Sequence, residues 1–281
     1  MLTYPGITPV DYLVIGHITQ DITPEGLRPG GTAAFAALTA QAMGLQVGIV
    51  TSWAEESGVD QFEGIEIANL QSERSTTFEN IYTPGGRIQK IHHLAPELGY
   101  FHIPESWRSA KIVHIGPVAK EVNPTLIQHF RDSYTYLTPQ GFMRQWDAQG
   151  YVRFDHWLEA AYILQQAHAA VISIEDVEAD EALIHSLAAS VPVLAVTKGK
   201  FGVDLYSHGS LYPLRAPKTE EVDPTGAGDI FAAVFFTQMT YHGDPRHAAE
   251  FAIRVASNSI TRPGLAGAPT EDTLYQLSNE V

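Results

Sequence analysis

Cysteine is absent from this chain of 281 residues. That absence excludes disulfide bonds, thiolate metal sites and cysteine nucleophiles. Positive charge is scarce as well, because 17 Lys and Arg residues stand against 32 Asp and Glu residues, which gives a formal net charge of -15 at pH 7. We expect no basic surface for nucleic acid or for an anionic membrane. An anionic ligand must therefore be bound by local dipoles or by Mg²⁺.

Long apolar runs are also missing. No run approaches the roughly 18 residues that a membrane span requires, and residues 1–6 lack the basic and apolar regions of a secretory signal. We therefore expect a soluble, cytoplasmic protein. No Gly-x-x-x-x-Gly-Lys-Ser/Thr pattern occurs, which excludes a Walker-type ATPase. No Gly-x-Gly-x-x-Gly follows the first predicted strand, which disfavours a dinucleotide oxidoreductase.

Short β-rich runs alternate with helical patterns along most of the chain, which indicates βα units around a mainly parallel sheet. The predicted strands are residues 12–15, 47–52, 111–115, 134–138, 169–174 and 192–197, followed by a hairpin of 203–207 and 210–214. The predicted helices are residues 32–43, 155–167, 178–189, 226–241 and 246–261. Residues 61–107 are polar with alternating pieces, which predicts a β appendage. With no linker or repeat, we expect a single α/β domain over residues 1–281.

The most informative segment is the heptapeptide from Asp223 to Asp229, Asp-Pro-Thr-Gly-Ala-Gly-Asp, which opens an apolar run. Gly226, Ala227 and Gly228 leave their backbone N–H groups uncovered where a helix should begin. Such groups, together with the helix dipole, favour a bound phosphoryl group. Asp229 follows in the first helical turn, where its carboxylate can accept the proton of an alcohol. The segment therefore indicates phosphoryl transfer to a hydroxyl, although glycines that merely start a helix remain the simpler alternative.

This heptapeptide resembles the C-terminal signature of the ribokinase-like, or PfkB, family of carbohydrate kinases, in which the final Asp is the catalytic base. The resemblance implies a three-layer α/β fold with a mainly parallel central sheet and a small β lid. The lid would be built from about residues 61–107 and part of the segment 16–30. The resemblance also implies ATP and Mg²⁺ as cofactors and transfer of the γ-phosphoryl group to a polyol or sugar. It leaves room for a homodimer formed through the lid.

Matches to the same family indicate where the acceptor would bind. Asp21, just beyond the first strand, resembles the Asp that binds substrate hydroxyls in the family. Gly30 and Gly31 resemble the double glycine that opens the first helix. Phe35 stands where most members carry Asn, and this feature is similar to the myo-inositol kinase branch. Arg144 has a counterpart in that branch and could contact phosphate or substrate, with a surface arginine as the alternative.

Nucleotide contacts follow from the same resemblance. Thr197, Gly199 and Gly202 match the family's Thr-x-Gly-x-x-Gly nucleotide loop. Asn258 falls where members place a residue beside the adenine, and a polar residue at a helix end is the alternative.

The family usually has Asn-x-x-Glu after a strand, where it supports the water shell of Mg²⁺. Glu178 matches the Glu, and Glu175 stands in place of the Asn. Mg²⁺ prefers oxygen ligands and retains several waters, so this pair suits it. The alternative is an acidic helix N-terminus.

Two other functions remain open from the sequence. A nucleoside or hexose kinase of the same family would share these motifs, with myo-inositol only one of the acceptors that fit. A regulator that binds sugar or nucleotide on this fold without turnover is the second alternative. The complete heptapeptide argues against the regulator, because a binding module gains nothing from a base beside the anion site.

Overall fold

The computed structural model describes residues 8–54, 59–83 and 86–279. The strands there are β1 (Tyr12–Ile15), β2 (Thr19–Thr23), β3 (Gly26–Gly30), β4 (Val47–Trp53), β5 (Glu66–Gln71), β6 (Thr77–Thr83), β7 (Gly86–His93), β8 (Ile112–Ile115), β9 (Tyr134–Leu137), β10 (Arg144–Trp146), β11 (Val152–Phe154), β12 (Ala169–Ser173), β13 (Val193–Thr197), β14 (Val203–Ser207) and β15 (Ser210–Leu214). The α-helices are α1 (Thr32–Ala42), α2 (Ala160–Leu164), α3 (Glu181–Ala188), α4 (Ala227–His242), α5 (Pro245–Ser259) and α6 (Glu271–Asn279). The α/β class predicted from the alternating pattern is confirmed.

The large sheet has nine strands in the order β15-β14-β13-β12-β9-β8-β1-β4-β5. The strands from β13 to β5 in this order run parallel, and β14 pairs antiparallel with both β13 and β15. Parallel strands end at one edge of the sheet, where α/β proteins place their ligands. The segments that follow β1, β9, β12 and β13 therefore meet at that edge.

Two apolar clusters lie on opposite faces of the large sheet. Successive residues of β1 alternate between them: Tyr12 and Val14 belong to one cluster, and Leu13 and Ile15 belong to the other. The first cluster includes residues of α1, α4, α5 and α6, and the second includes residues of α2 and α3. This period of two buries both faces of the strand and gives a helix–sheet–helix sandwich of three layers.

Helix α4 is apolar on all sides, and its residues 230–237 are buried. It packs between α1, α5 and the large sheet, so no face of this stretch needs a polar surface. Among the helices of the described residues, none has the length and apolar character needed to span a membrane.

A small sheet with the strand order β3-β2-β6-β7 forms separately from the large one. In it β2 pairs antiparallel with β3 and parallel with β6, which joins the segment after β1 to the segment after β5. The predicted appendage of residues 61–107 is therefore only partly in this sheet. Its first strand, β5, extends the large sheet beside β4.

Some helix bounds differ from the prediction. The helix expected over residues 155–167 is reduced to the five residues of α2, and the helix expected from residue 178 begins at Glu181, where Asp180 caps α3. Helix α6 and the short β10–β11 pair were not predicted. In α6 only Leu274 and Leu277 are buried, so the apolar pattern that marks a helix is weak there.

Candidate active site

Asp229 lies in the first turn of α4, at the edge of the large sheet where the parallel strands end. The Thr32 hydroxyl at the start of α1 donates a hydrogen bond of 2.7 Å to Asp229 Oδ1. Thr32 is buried and Asp229 is half-buried, so the carboxylate reaches the cavity with one oxygen fixed. Sequence reasoning missed Thr32, although its place directly after Gly31 at a helix start could have marked it.

The turn that precedes α4 depends on Gly226, which has a left-handed φ of 77°. A Cβ atom on Gly226 would lie 2.3 Å from the ring of Phe35. Phe35 is 1% exposed, and its ring packs against the turn at Gly226 and also lines the cavity. A side chain at position 226 would require both a strained backbone and a displaced ring.

The backbone donors at this turn are not equivalent. The N–H of Ala227 donates to the carbonyl of Pro224 at 3.2 Å, a bond that tightens the first turn. Among the described residues, the N–H groups of Gly226 and Gly228 have no such partner. The expectation that all three donors bind phosphate stays a prediction, and of the three only Ala227 already has a backbone partner among the described residues.

The pKa of Asp229 is raised from 3.8 to about 6. The main cause is burial, which disfavours the charged carboxylate, and the negative charge of Asp176 acts in the same direction. The hydrogen bond from Thr32 and the positive charge of Arg144 lower the pKa but do not cancel the effect of burial. A carboxylate with a pKa near 6 is a stronger base than an ordinary Asp and is still ionised at neutral pH.

We expect kcat/KM to fall about tenfold per pH unit below about pH 6, because only the ionised carboxylate of Asp229 accepts a proton. The measurement is initial rates from about pH 4.5 to pH 8.5 with the protein's acceptor. Circular dichroism at each pH controls for unfolding. A flat profile down to about pH 4.5 would contradict the base assignment.

Four of the five residues expected to bind the acceptor, Asp21, Gly31, Phe35 and Arg144, line the same cavity, whose volume is about 970 Å³, and Gly30 does not line it. Asp21 extends from β2 across Gly30, since a Cβ atom on Gly30 would lie 2.6 Å from Asp21 Oδ2. Gly31 caps α1 with a φ of 85°. Arg144 donates to the carbonyl of Val118 at 2.9 Å, so a backbone contact fixes its guanidinium at the cavity.

Three amide side chains on the cavity were not predicted as site residues. Gln89 donates to Asn80 at 3.1 Å across the β6–β7 pair, and both residues line the cavity from the small sheet. Gln140 lines it from the segment after β9 and donates to Asp176 at 3.0 Å. These amides can both donate to and accept from hydroxyls. An alternating polar strand gave no sign of which face would meet the cavity.

The other end of the cavity contains the predicted nucleotide loop. Thr197, Gly199 and Gly202 all line it, and Gly202 has a φ of 99° that brings its backbone against Leu214. Apolar side chains continue this end, among them Ile253 and Ile260 of the α5 region.

Asn258 does not line the cavity. Its side-chain oxygen accepts a hydrogen bond of 3.1 Å from Arg262, and its neighbour Ser257 faces the cavity instead. The structure therefore places Ser257, and not Asn258, at the cavity, and the contact between Asn258 and adenine stays a prediction. Successive residues of a helix are turned by about 100°, so a one-residue error in register moves a side chain off the site.

The acidic segment after β12 also differs from expectation. Glu178 is exposed, has a left-handed φ of 50° and lies off the cavity, which does not fit the metal role expected for it. Glu175 and Asp176 line the cavity, as does Ser173. Asp176 accepts hydrogen bonds from Gln140 and from the Ser173 N–H at 2.8 Å. Of the pair matched to the family's Asn-x-x-Glu, Glu175 therefore lies at the cavity and Glu178 does not.

This chain is similar in sequence and in fold to known kinases. The sequence model of the pfkB family carbohydrate kinase matches residues 157–272. A cytidine kinase of Thermococcus kodakarensis is 30% identical over 256 residues, which cover 80% of this chain and 87% of that protein. This chain belongs to the PfkB family of carbohydrate kinases. It is a phosphotransferase with an alcohol group as acceptor.

Solved structures show the ribokinase fold for this PfkB kinase. A pyrophosphate-dependent myo-inositol-1 kinase, converted by mutation into a myo-inositol-3 kinase, superimposes with a TM-score of 0.80 at 20% identity, over 96% of this chain and 99% of that one. A ribokinase of Arabidopsis thaliana complexed with ribose and ATP gives 0.70 at 15% identity, over 98% and 100%. At these identities the likeness is one of fold.

Proposed function

We propose that this PfkB kinase transfers the γ-phosphoryl group of ATP to a hydroxyl of a cyclitol such as myo-inositol, with Asp229 as the general base. One observation carries the proposal: Asp21, Asp229 and the Thr197–Gly202 loop line a single cavity, and the strands that precede Asp21 and the loop, β1 and β13, are separated in the large sheet by β8, β9 and β12. Helix α4, whose first turn contains Asp229, contacts β8 and β12 between them. This is the order in which acceptor, transferred group and donor must lie for in-line transfer.

In this proposal Asp229 takes the proton of the attacking hydroxyl. Its hydrogen bond from Thr32 fixes one oxygen and leaves the other for the substrate. The N–H groups of Gly226 and Gly228 stabilise the charge on the transferred phosphoryl oxygens, assisted by the dipole of α4. Asp21 accepts hydrogen bonds from other hydroxyls of the acceptor, and the positive charge of Arg144 favours an anionic group nearby.

The residues present fit Mg²⁺ held largely through water. Within the described ranges, no cluster of three or more His, Asp or Glu side chains could enclose a metal ion. Mg²⁺ bound beside a nucleotide needs only one or two carboxylates and retains several waters. Glu175 and Asp176 supply carboxylates at the cavity. When bound, the ion neutralises charge on the donor phosphates.

ATP is the donor that the cavity favours. The end of the cavity beside the Thr197–Gly202 loop has apolar side chains, among them Ile253 and Ile260, which suit a base. A similar fold binds ATP in the Arabidopsis ribokinase, whereas the myo-inositol-1 kinase uses pyrophosphate. Pyrophosphate is therefore the alternative donor to be tested.

The acceptor is a cyclitol in our proposal because Phe35 gives this end of the cavity an apolar wall while Asp21 and the amides of Asn80 and Gln89 supply hydrogen bonds. A ring with an apolar face and hydroxyls at its edge matches that distribution. The second candidate is a nucleoside, because the cytidine kinase is 30% identical over 80% of this chain. A regulator without turnover is disfavoured by the raised pKa of Asp229, which a binding module does not need.

The small sheet is the lid in this proposal. Asp21, Asn80 and Gln89 line the cavity from its strands, so closure of the sheet would bring these side chains onto the acceptor. The single domain over residues 1–281 and a homodimer formed through the lid remain predictions.

The proposed function is tested by a coupled assay with two donors and a panel of acceptors. ATP or pyrophosphate is combined with myo-inositol, ribose, fructose or cytidine in the presence of Mg²⁺. We expect ATP and myo-inositol to give the highest kcat/KM. Highest turnover with cytidine would replace the cyclitol by a nucleoside, and turnover with pyrophosphate alone would replace the donor. Absence of both turnover and ATP binding by calorimetry would rule out the proposal.

Replacing Asp21 by Asn should raise the KM for the acceptor by about 10- to 100-fold, because a charge-assisted acceptor of two hydroxyl protons is lost. The Kd for ATP should change by less than about twofold, since Asp21 lies at the opposite end of the cavity. Steady-state kinetics and calorimetry measure the two effects. Glu25→Gln is the matched control, because Glu25 is an exposed carboxylate on the β2–β3 turn that pairs with Arg28 at 3.3 Å and does not line the cavity.

A further inference from the structure

Three buried polar side chains form a hydrogen-bonded row that ends at the cavity. The hydroxyl of Tyr12 lies 2.9 Å from Nδ1 of His114. Nε2 of the same ring lies 2.9 Å from Oγ1 of Thr138. Tyr12 is on β1, His114 on the adjacent β8, and Thr138 directly follows β9. The row therefore crosses three neighbouring strands of the large sheet on the side that faces α4.

The direction of each hydrogen bond follows from burial. Tyr12 and His114 have no exposed surface, and burial lowers the pKa of His114 to about 3, so the ring is neutral and has one N–H. Within the described residues, the Tyr12 hydroxyl has no hydrogen-bond partner except His114. If His114 donated from Nδ1, the Tyr12 proton would be buried without an acceptor, an arrangement that folded proteins avoid.

Tyr12 must therefore donate to Nδ1, which places the ring proton of His114 on Nε2. Nε2–H then donates to Oγ1 of Thr138. The proton of the Thr138 hydroxyl is left to point elsewhere, and no acceptor for it exists among the described residues. Thr138 lines the cavity, so this proton is available to a ligand there.

The place of Thr138 puts this donor beside the proposed base. A Cβ atom on Gly116 would lie 3.0 Å from Oγ1 of Thr138 and 2.6 Å from Cγ2 of Thr32, so the two threonines are neighbours around one glycine. Thr32 is the residue that binds Asp229. The hydrogen-bonded row also lies close to Asp229. The pKa of Tyr12 is raised mainly by burial and further by the charges of Tyr136 and Asp229.

We propose that the Thr138 hydroxyl is a dedicated hydrogen-bond donor to an oxygen of the acceptor, next to the hydroxyl that is phosphorylated, and that Tyr12 and His114 are positioning residues that fix its direction. Thr138 thereby selects acceptors with an oxygen at that position. This inference rests on the proposed function, which places the acceptor on this side of Asp229. It adds a specificity-determining residue, Thr138, whose hydroxyl proton is directed into the cavity by two buried residues of the large sheet.

Kinetics with substituted proteins provide the first test. Thr138→Val keeps the shape and removes the donor, so the KM for the acceptor should rise about 10-fold or more, with the KM for the donor unchanged within about twofold. Thr138→Ser retains the hydroxyl and should restore most of the loss. Tyr12→Phe touches no ligand but frees Nδ1 of His114, so it should raise the acceptor KM by a few-fold, and it should add little to Thr138→Val.

The matched control is Tyr136→Phe. Tyr136 is also a buried tyrosine of the large sheet, and within the described part of the chain its hydroxyl bonds only Thr240, at 2.8 Å, which lies off the cavity. A general loss of stability would affect both tyrosine variants alike. An equal rise of the acceptor KM in Tyr12→Phe and Tyr136→Phe, or an unchanged KM in Thr138→Val, would overturn the proposal.

NMR supplies a readout that needs no substrate. In ¹⁵N-labelled protein the ring nitrogens of His114 should show protonated Nε2 and bare Nδ1 in the parent, and Tyr12→Phe should alter this pattern. A proton on Nδ1 in the parent would overturn the inference. If none of the panel acceptors is phosphorylated, the proposed function fails, and the tautomer of His114 still decides whether Thr138 has a proton to donate.

Discussion

We expect kcat to fall by about 100- to 10,000-fold when Asp229 is replaced by Asn, the range for loss of a general base. Asn keeps the size of the side chain and can still accept the hydrogen bond from Thr32, so the cavity should keep its shape. The Kd for ATP should stay within about threefold of the parent, because the change removes the proton acceptor and no donor contact. Steady-state kinetics and calorimetry measure the two quantities.

The same variant should be more stable than the parent. Burial raises the pKa of Asp229 above that of the unfolded chain, so the folded state binds the proton more tightly. This favours folding at low pH, and the advantage is lost as the pH rises through about 6. At pH 8 the ionised carboxylate therefore costs stability. Asp229→Asn should raise the unfolding free energy by about 1–3 kcal/mol, and we expect a value toward the lower end because the side chain is half-buried.

Asp223→Asn is the matched control for stability, six positions earlier in the same heptapeptide. Burial alone would raise the pKa of Asp223, but hydrogen bonds from Thr225 and from the N–H of Gly264 hold it below its usual value. Its contribution therefore has the opposite sign: it is present at neutral pH and lost in acid. Urea unfolding at pH 8 should show stabilisation by Asp229→Asn and destabilisation by Asp223→Asn. Turnover within threefold of the parent for Asp229→Asn would exclude Asp229 as the base.

The second large effect concerns the two glycines of the α4 turn. Gly226→Ala should lower the unfolding free energy by about 2–4 kcal/mol, because its left-handed φ of 77° is strained for Ala and its Cβ atom would lie 2.3 Å from Phe35. Displacement of the turn also moves its N–H donors, so kcat should fall by about 100-fold or more.

Gly228→Ala separates the anion role from the folding role. A Cβ atom on Gly228 meets no atom of the described residues within 4 Å, and the residue lies in α4, so stability should change by less than about 1 kcal/mol. Activity should nevertheless fall about 10-fold or more, because the methyl group would occupy space that the proposal gives to the phosphoryl group. Thermal unfolding and kcat/KM should be measured on both variants. Full activity in Gly228→Ala would place the phosphoryl group elsewhere.

Much of the fold could be predicted from the sequence because its strands are buried on both faces. Residues 12–15 of β1 are all apolar or aromatic, and such runs are easily recognised. The Val203–Ser207 hairpin was predicted with its observed bounds because His208 and Gly209 form a clear turn. The appendage was harder, since β5 is half-buried and polar and its sequence does not show which sheet it joins.

Site residues that act through their backbone conformation could be predicted from the sequence. Residues that act through the direction of a side chain could be predicted less well. Gly226 and Gly31 have positive φ values, which the glycine pattern indicated. Asn258 and Glu178 were each assigned from spacing, and neither lines the cavity. Asn258 is turned away by its position on α5, and Glu178 has a left-handed backbone conformation. The position of Thr138 directly after a predicted strand placed it at the same edge of the sheet, but its hydrogen bond to His114 could not be predicted, because His114 lies on another strand.

Phe35 has a consequence for how this chain could change its specificity. The same ring is a wall of the acceptor end of the cavity and the support beneath Gly226. If a smaller residue replaced Phe35 to admit a new acceptor, the α4 turn would lose the ring that packs against Gly226, and turnover would fall before the new acceptor could be used. Acceptor choice and catalytic power are thus epistatic here, and an evolutionary path between acceptors must alter α1 and the α4 turn together.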